Sequence, residues 1–234
     1  MTEPRHRGPL PLPYLEGLTA RTPTAEALRG LDRPVILLVG GATGTGKSTV
    51  ATEVAYRLGI TRVSSTDFVR QTMRAFLSED VMPSIHYSSF EVPHEGGLGV
   101  VEGFVEQTHN VLTGVRALIE RALQEGWSLV LEGVHLVPGM LPAVEGAIVV
   151  HCVLAIEDEQ AHERHFWVRD VYSEGLRPVQ KYLDALPDIR LVQDFIVGQA
   201  ETSGVPVVEN RSIERSIETV MELVLSNADR YVMA

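Results

Sequence analysis

The stretch Val35-Ile36-Leu37-Leu38-Val39-Gly40-Gly41-Ala42-Thr43-Gly44-Thr45-Gly46-Lys47-Ser48-Thr49 decides how this chain folds. From Gly41 to Ser48 it spells G-x-x-x-x-G-K-S, a loop whose glycines let consecutive backbone N–H groups turn inward around phosphates. Upstream, five apolar residues read as a buried strand. Downstream, Val50, Ala51, Val54, Ala55 and Leu58 recur at helical spacing until Gly59. Strand, loop and helix thus arrive in the order the motif requires, which a chance glycine-rich turn would not explain. The helix N-terminus adds its partial positive charge to that of Lys47, one of only two lysines, and the Ser48 hydroxyl is placed to ligate magnesium. The expected nucleotide-binding residues are therefore Gly41, Ala42, Thr43, Gly44, Thr45, Gly46, Lys47, Ser48 and Thr49, around a nucleoside triphosphate.

Composition bounds the rest. At 234 residues with 44% hydrophobic content, the chain suits one α/β domain with a single sizeable core. A net charge of −11 argues against a nucleic-acid partner, since backbone binding needs a basic surface. Cys152, the only cysteine, forms no internal disulfide and lies in an apolar run that implies a buried thiol. No signal peptide or membrane-spanning run is legible, so a cytoplasmic protein without a membrane partner is expected. Arginine outnumbers lysine throughout, so its abundance alone does not indicate phosphate binding.

Residues 1–33 carry five prolines between Pro4 and Pro23 and read as a partly irregular extension, with Thr24 to Leu31 as a short capped helix. The remaining residues, 34–234, read as one domain. A second strand is expected over Ile60 to Ser64, then a helix capped by Thr66 or Asp67 and running to about Leu77. Residues 78–98 read as an irregular loop. Val100, Phe104, Val111, Val115, Leu118 and Ala122 form the core stripe of a long helix that Gly126 ends. Further strands are expected at Leu129 to Glu132, Ala147 to Ile156 and Val205 to Val208. This alternation implies a parallel sheet with helices on both faces and ligands at the carboxyl ends of its strands.

Strand ends therefore direct attention to particular side chains. Asp67 follows the second strand, where a carboxylate can accept or orient the proton of an attacking hydroxyl; a helix cap explains it equally well. Arg70 and Arg74 share its helix face and suit an anionic substrate, although two arginines at that spacing also describe a solvated surface. Glu132 ends an apolar strand, so it needs a metal, a water network or an arginine nearby. A magnesium ion shared with Ser48 would meet that need. His135 follows on a loop, where a lone histidine is ordinarily exposed. Between about 157 and 193, His162, His165 and Arg169 share a helical face, with Gly175 and Pro178 as joints, Arg177 between them, and Lys181 and Arg190 beyond. This pattern reads as a helical lid that brings an arginine to the transferred phosphate. A His-x-x-His metal site is disfavoured, because no cysteine or carboxylate cluster completes it.

Five segments together resemble the 2-phosphoglycerate kinase family: Gly40 to Thr49, Ser65-Thr66-Asp67-Phe68-Val69-Arg70, Ile85-His86-Tyr87-Ser88-Ser89-Phe90, Glu132-Gly133-Val134-His135-Leu136-Val137-Pro138-Gly139, and Ile189-Arg190-Leu191-Val192-Gln193. The likeness spans roughly residues 34–226, and the third and fourth segments are much more specific than the phosphate loop. It implies a P-loop NTPase fold with a five-stranded parallel sheet in the order 2-3-1-4-5. It also implies transfer of the ATP γ-phosphoryl group to the 3-hydroxyl of 2-phosphoglycerate, with Mg2+, to give 2,3-bisphosphoglycerate. Residues 1–33 are too short for the larger N-terminal module of archaeal members, so a short form is expected.

Such an acceptor carries a phosphate and a carboxylate, which call for several fixed cations in an acidic protein. Arg70, Arg74, His86, His135, Arg177 and Arg190 are the expected substrate-binding residues, with Lys47, Asp67 and Arg169 as the catalytic ones. Two other classes fit the same motif. One is a kinase for another hydroxyl, such as a nucleotide sugar or an antibiotic; the other is a non-enzymatic ATP-gated switch.

Overall fold

The computed structural model describes residues 31–92, 99–172 and 179–233, except the side chains of residues 169–172 and 233. Five strands, β1 (Val35–Gly40), β2 (Val63–Ser65), β3 (Leu129–Glu132), β4 (Ile148–Ala155) and β5 (Val207–Glu209), pair in parallel in the order β2-β3-β1-β4-β5. β1 is central and wholly buried, as expected for an unbroken apolar run covered on both faces. Its alternate residues sort the core. Val35, Leu37 and Val39 pack with α1 (Lys47–Leu58) and α7 (Ile213–Met233), whereas Ile36 and Leu38 face the cluster built on α3 (Val100–Gln124).

The remaining helices are α2 (Thr66–Phe76), α4 (Glu159–Tyr172), α5 (Val179–Asp184) and α6 (Leu186–Ser203). Phe104 of α3 joins Val134, Val137 and the α6 residues Val192 and Ile196 in a third cluster, and meets Phe195 edge to face at 6.2 Å. Among the described residues, no helix is long and apolar enough to cross a membrane.

Two strands begin later than their apolar residues suggest, for one shared reason. Gly59 is left-handed at φ 68° and closes α1: its N–H reaches Tyr56 O, and that of Ile60 reaches Ala55 O. Ile60 thus belongs to the helix end, and β2 starts at Val63. Gly204 and Val205 close α6 in the same way, so β5 starts at Val207. The cap of α2 is also not the expected one. Ser65 accepts from the Phe68 N–H at 3.1 Å, while the hydroxyl of Thr66 turns inward. The loop after α2 contains a 3-10 turn, Pro83–His86. The helix expected at Thr24 to Leu31 lies, but for its last residue, outside the described residues.

Phe104→Ala should lower the unfolding free energy by about 3–5 kcal/mol, since a large buried ring is lost from the α3–α6 seam. Urea unfolding with an unchanged m-value is the check.

Candidate active site

The phosphate loop leaves β1 at the sheet edge where every strand ends. Gly44 sits at φ 87°, a conformation that side chains resist. Within the loop, Thr45 Oγ1 donates to Ala42 O at 3.0 Å, and Lys47 Nζ donates to the same oxygen at 2.6 Å. Lys47 is only 8% exposed. At the start of α1, the Ser48 hydroxyl donates to Glu132 Oε1 at 2.9 Å, so the buried carboxylate is not stranded at its strand end. These are hard oxygen donors. Among the described residues, no group of three or more His, Cys, Asp or Glu side chains forms a cage. Ser48 and Glu132 thus fit a magnesium ion held by one or two protein oxygens and completed by phosphate, rather than an all-protein site.

Outside the loop, three side chains bind its carbonyls. His162 Nε2 meets Thr43 O at 2.8 Å, His165 Nδ1 meets Gly44 O at 3.0 Å, and Asn210 Nδ2 meets Thr45 O at 2.8 Å. The histidine pair was legible as one helical face but not as a partner of the loop. Asn210 carried no local signal at all.

Across the cleft, Asp67 occupies the first turn of α2 with its side chain 71% exposed, 3.6 Å from Arg70 Nη2. Arg70 is mostly buried, and its Nη1 donates to Ile85 O at 3.0 Å and Tyr87 O at 2.6 Å. His86 is tied to Leu77 O at 2.9 Å, and Arg74 lies at the surface against Gln71 Oε1 at 3.2 Å. Arg190 braces the β4–α4 link through Ile156 O and Glu157 O, at 3.3 and 2.9 Å. Arg169 lies in α4 without a described side chain. Arg177, like Gly175 and Pro178, falls outside the described residues. Lys181 on α5 reaches Glu91 Oε2 at 2.9 Å and Ser88 Oγ at 3.3 Å.

His135 departs most from expectation. It is fully buried, and burial pushes its pKa down to about 3, so it is a neutral ring and not one of the cations. Gln107 fixes its tautomer. The amide Nε2 of Gln107 donates to Ser84 O and Tyr87 O, so its Oε1 must accept from His135 Nε2–H at 2.9 Å. Nδ1 of the ring is then the acceptor for the Thr66 hydroxyl at 2.8 Å. Gln107 was findable as the one glutamine on the core stripe of α3. Cys152 is buried as expected, with its thiol pushed up to about 12, which removes it from nucleophilic chemistry.

No family model matches the chain. It is 38% identical over 198 residues to the 2-phosphoglycerate kinase of Methanocaldococcus jannaschii, an alignment covering 82% of this chain and 63% of that protein. With the 2-phosphoglycerate kinase of Methanothermobacter thermautotrophicus it shares 39% identity over 204 residues, covering 83% and 67%. The chain belongs to the 2-phosphoglycerate kinase family. It spans about two thirds of the length of these relatives, 63% and 67%. Among solved structures, a gluconokinase from Sinorhizobium meliloti superposes with a TM-score of 0.52 at 14% identity, over 86% of this chain and 97% of that one. That likeness shows the fold alone, the expected P-loop NTPase fold with sheet order 2-3-1-4-5.

The buried imidazoles set an acid limit. Burial holds His135 at about 3 and His162 at about 4, both below the ordinary 6.5. Below pH 6.5 the unfolded chain takes up these protons while the folded chain does not. Their stabilisation is thus complete above about pH 6.5 and is lost as the pH falls toward 4 and then 3, by up to about 1.4 kcal/mol per pH unit for each ring. Urea unfolding at pH 7.5 and 5.5 measures it; equal stability at both would mean that the rings are solvated in the native state.

Proposed function

We propose that this chain transfers the γ-phosphoryl group of ATP to the 3-hydroxyl of 2-phosphoglycerate, giving 2,3-bisphosphoglycerate. The observation that carries the reading is the Ser48–Glu132 hydrogen bond at the mouth of the phosphate loop, with Asp67 two residues beyond Ser65, the strand partner of Glu132. Family membership supports the choice of acceptor.

In this reading Lys47 and the inward N–H groups of the loop hold the β- and γ-phosphates. Ser48 and Glu132 would hold Mg2+, which when bound draws charge from the phosphate oxygens. An open groove of about 610 Å³, lined by Thr49, Thr52, Ile213 and Ile217 beside Ser48, takes the nucleoside. Asp67, solvated and unencumbered by capping, orients the acceptor hydroxyl and accepts its proton as the new P–O bond forms. Arg70, Arg74, His86 and Arg190 are the described cations offered to the acceptor's phosphate and carboxylate, and Arg169 and Arg177 are kept as the further candidates the sequence names. The neutral His135 contributes alignment of Thr66 and the Ser84–Tyr87 segment rather than charge.

Asp67→Asn should lower kcat by about 10²-fold or more while changing the KM for ATP little. Because Ser65 caps α2, the substitution leaves the cap intact, and an unchanged kcat would remove Asp67 from the chemistry. In a panel of acceptors followed by ADP release and product mass, 2-phosphoglycerate should be used far faster than glycerate. Glycerate would leave desolvated cations without a partner. Faster turnover of a neutral alcohol or a nucleotide sugar would overturn the acceptor and leave only the kinase fold.

A further inference from the structure

When the amides of a phosphate loop face inward, the carbonyls of the same peptides face outward, and each one that is buried needs a donor. Here four consecutive carbonyls receive one from a side chain. Ala42 O is held within the loop by Lys47 and Thr45, while Thr43, Gly44 and Thr45 are held by His162, His165 and Asn210. The last three lie more than a hundred residues away in sequence.

The fit of α4 against the loop is tight. A Cβ on Gly44 would come within 2.5 Å of the Phe166 ring and 3.0 Å of His162 Nε2. Phe166 in turn stacks on the His162 ring at 5.2 Å. His162 is 0% exposed, and its Nδ1 has no hydrogen-bond partner among the described residues. A phenylalanine would fill that space without a desolvated nitrogen, so packing does not account for an imidazole here. Its one side-chain hydrogen bond, from Nε2–H to Thr43 O, does.

We propose that His162 and His165 are positioning residues for the phosphate loop. They hold the Thr43 and Gly44 carbonyls outward, and so keep the N–H groups of Gly44 and Thr45 turned toward the phosphates. The inference rests on the ATP reading given above. Gly44 flanks both peptides, and with no side chain it lets either one flip at little cost. A flipped peptide would aim an oxygen at the place of a phosphate oxygen. Without the two donors a fraction of the loop would rest in that form, and nucleotide affinity would fall with the competent fraction.

The two rings use different nitrogens, which makes the idea testable. Glutamine reaches about as far as Nε2 and asparagine about as far as Nδ1, so His162→Gln and His165→Asn keep the donors. His162→Phe and His165→Leu remove them while keeping bulk. Calorimetric titration of the whole protein with Mg-ATP, without acceptor, should give roughly tenfold weaker binding for each donor-deleting variant and near wild-type binding for each donor-keeping one. Thermal unfolding reports whether each variant is folded; should His162→Phe not fold, the less buried His165→Leu decides. Wild-type affinity in folded donor-deleting variants overturns the proposal, and so does an equal loss in the donor-keeping variants. A wild-type protein that does not bind Mg-ATP overturns the nucleotide reading itself, which separates the two failures.

Discussion

Val39 on β1 faces Glu132 on β3, and this register puts a carboxylate beside the start of the phosphate loop. The chain then leaves the sheet at once. Gly133 N–H returns to Val39 O at 3.0 Å, and at φ 149° Gly133 packs where any Cβ would collide with Thr66. Core sorting protects the register. Val130 shares the face of Glu132 and packs on the α1 side, whereas Leu129 and Leu131 pack on the α3 side. A slip of one residue would reverse both sets and drive the carboxylate under α3, away from Ser48, where nothing comparable would repay its lost hydration.

From the same strand end a second constraint follows, carried by neutral groups. Thr66 donates to His135, His135 donates to Gln107, and Gln107 donates to the carbonyls of Ser84 and Tyr87. Each step is fixed by the one before, so α2, the β3 loop, α3 and the Ser84–Tyr87 segment share one direction of donation. Arg70 adds two donors to the same segment. A protonated His135 would lose the acceptor that Thr66 needs and would place a charge in a desolvated site. His135 therefore supplies alignment and no positive charge.

How much of this was legible depended on the range of the interaction. Val35 to Gly59 could be read residue by residue, because strand, loop, helix and cap each have a local signature. Glu132 was legible as an acid that needed a partner, and Ser48 is one. The N-cap of α2 was misplaced by one or two residues, because Ser65, Thr66 and Asp67 are all good caps and only the distant His135 decides that Thr66 turns inward. His135 itself read as an exposed loop histidine or a substrate-binding cation, since a loop in sequence gives no sign that Phe104 and Gln107 of α3 lie over it. The outer carbonyl partners of the loop were invisible for the same reason. They join residues 119 to 165 positions apart, and no spacing encodes that.

The two walls of the cleft are also joined to each other. From Phe90, just past the Ser84–Tyr87 segment, ring contacts at 6.0, 5.2 and 5.2 Å run through Tyr182 and Phe166 to His162, which bonds to the phosphate loop. Ala42 of the loop, Leu186 and Ile189 complete the cluster, and Lys181 ties α5 to Glu91 from outside. Close-packed interiors transmit displacement rather than absorb it, so moving one wall strains the other. The joints read in the sequence, Gly175 and Pro178, fall between α4 and α5. The helices flanking them are already seated, α4 on the loop through His162 and Phe166, and α5 on the Phe90 segment through Lys181 and Tyr182. The separation of the phosphate loop from the Phe90 segment is thus set by this packed cluster rather than by any single contact.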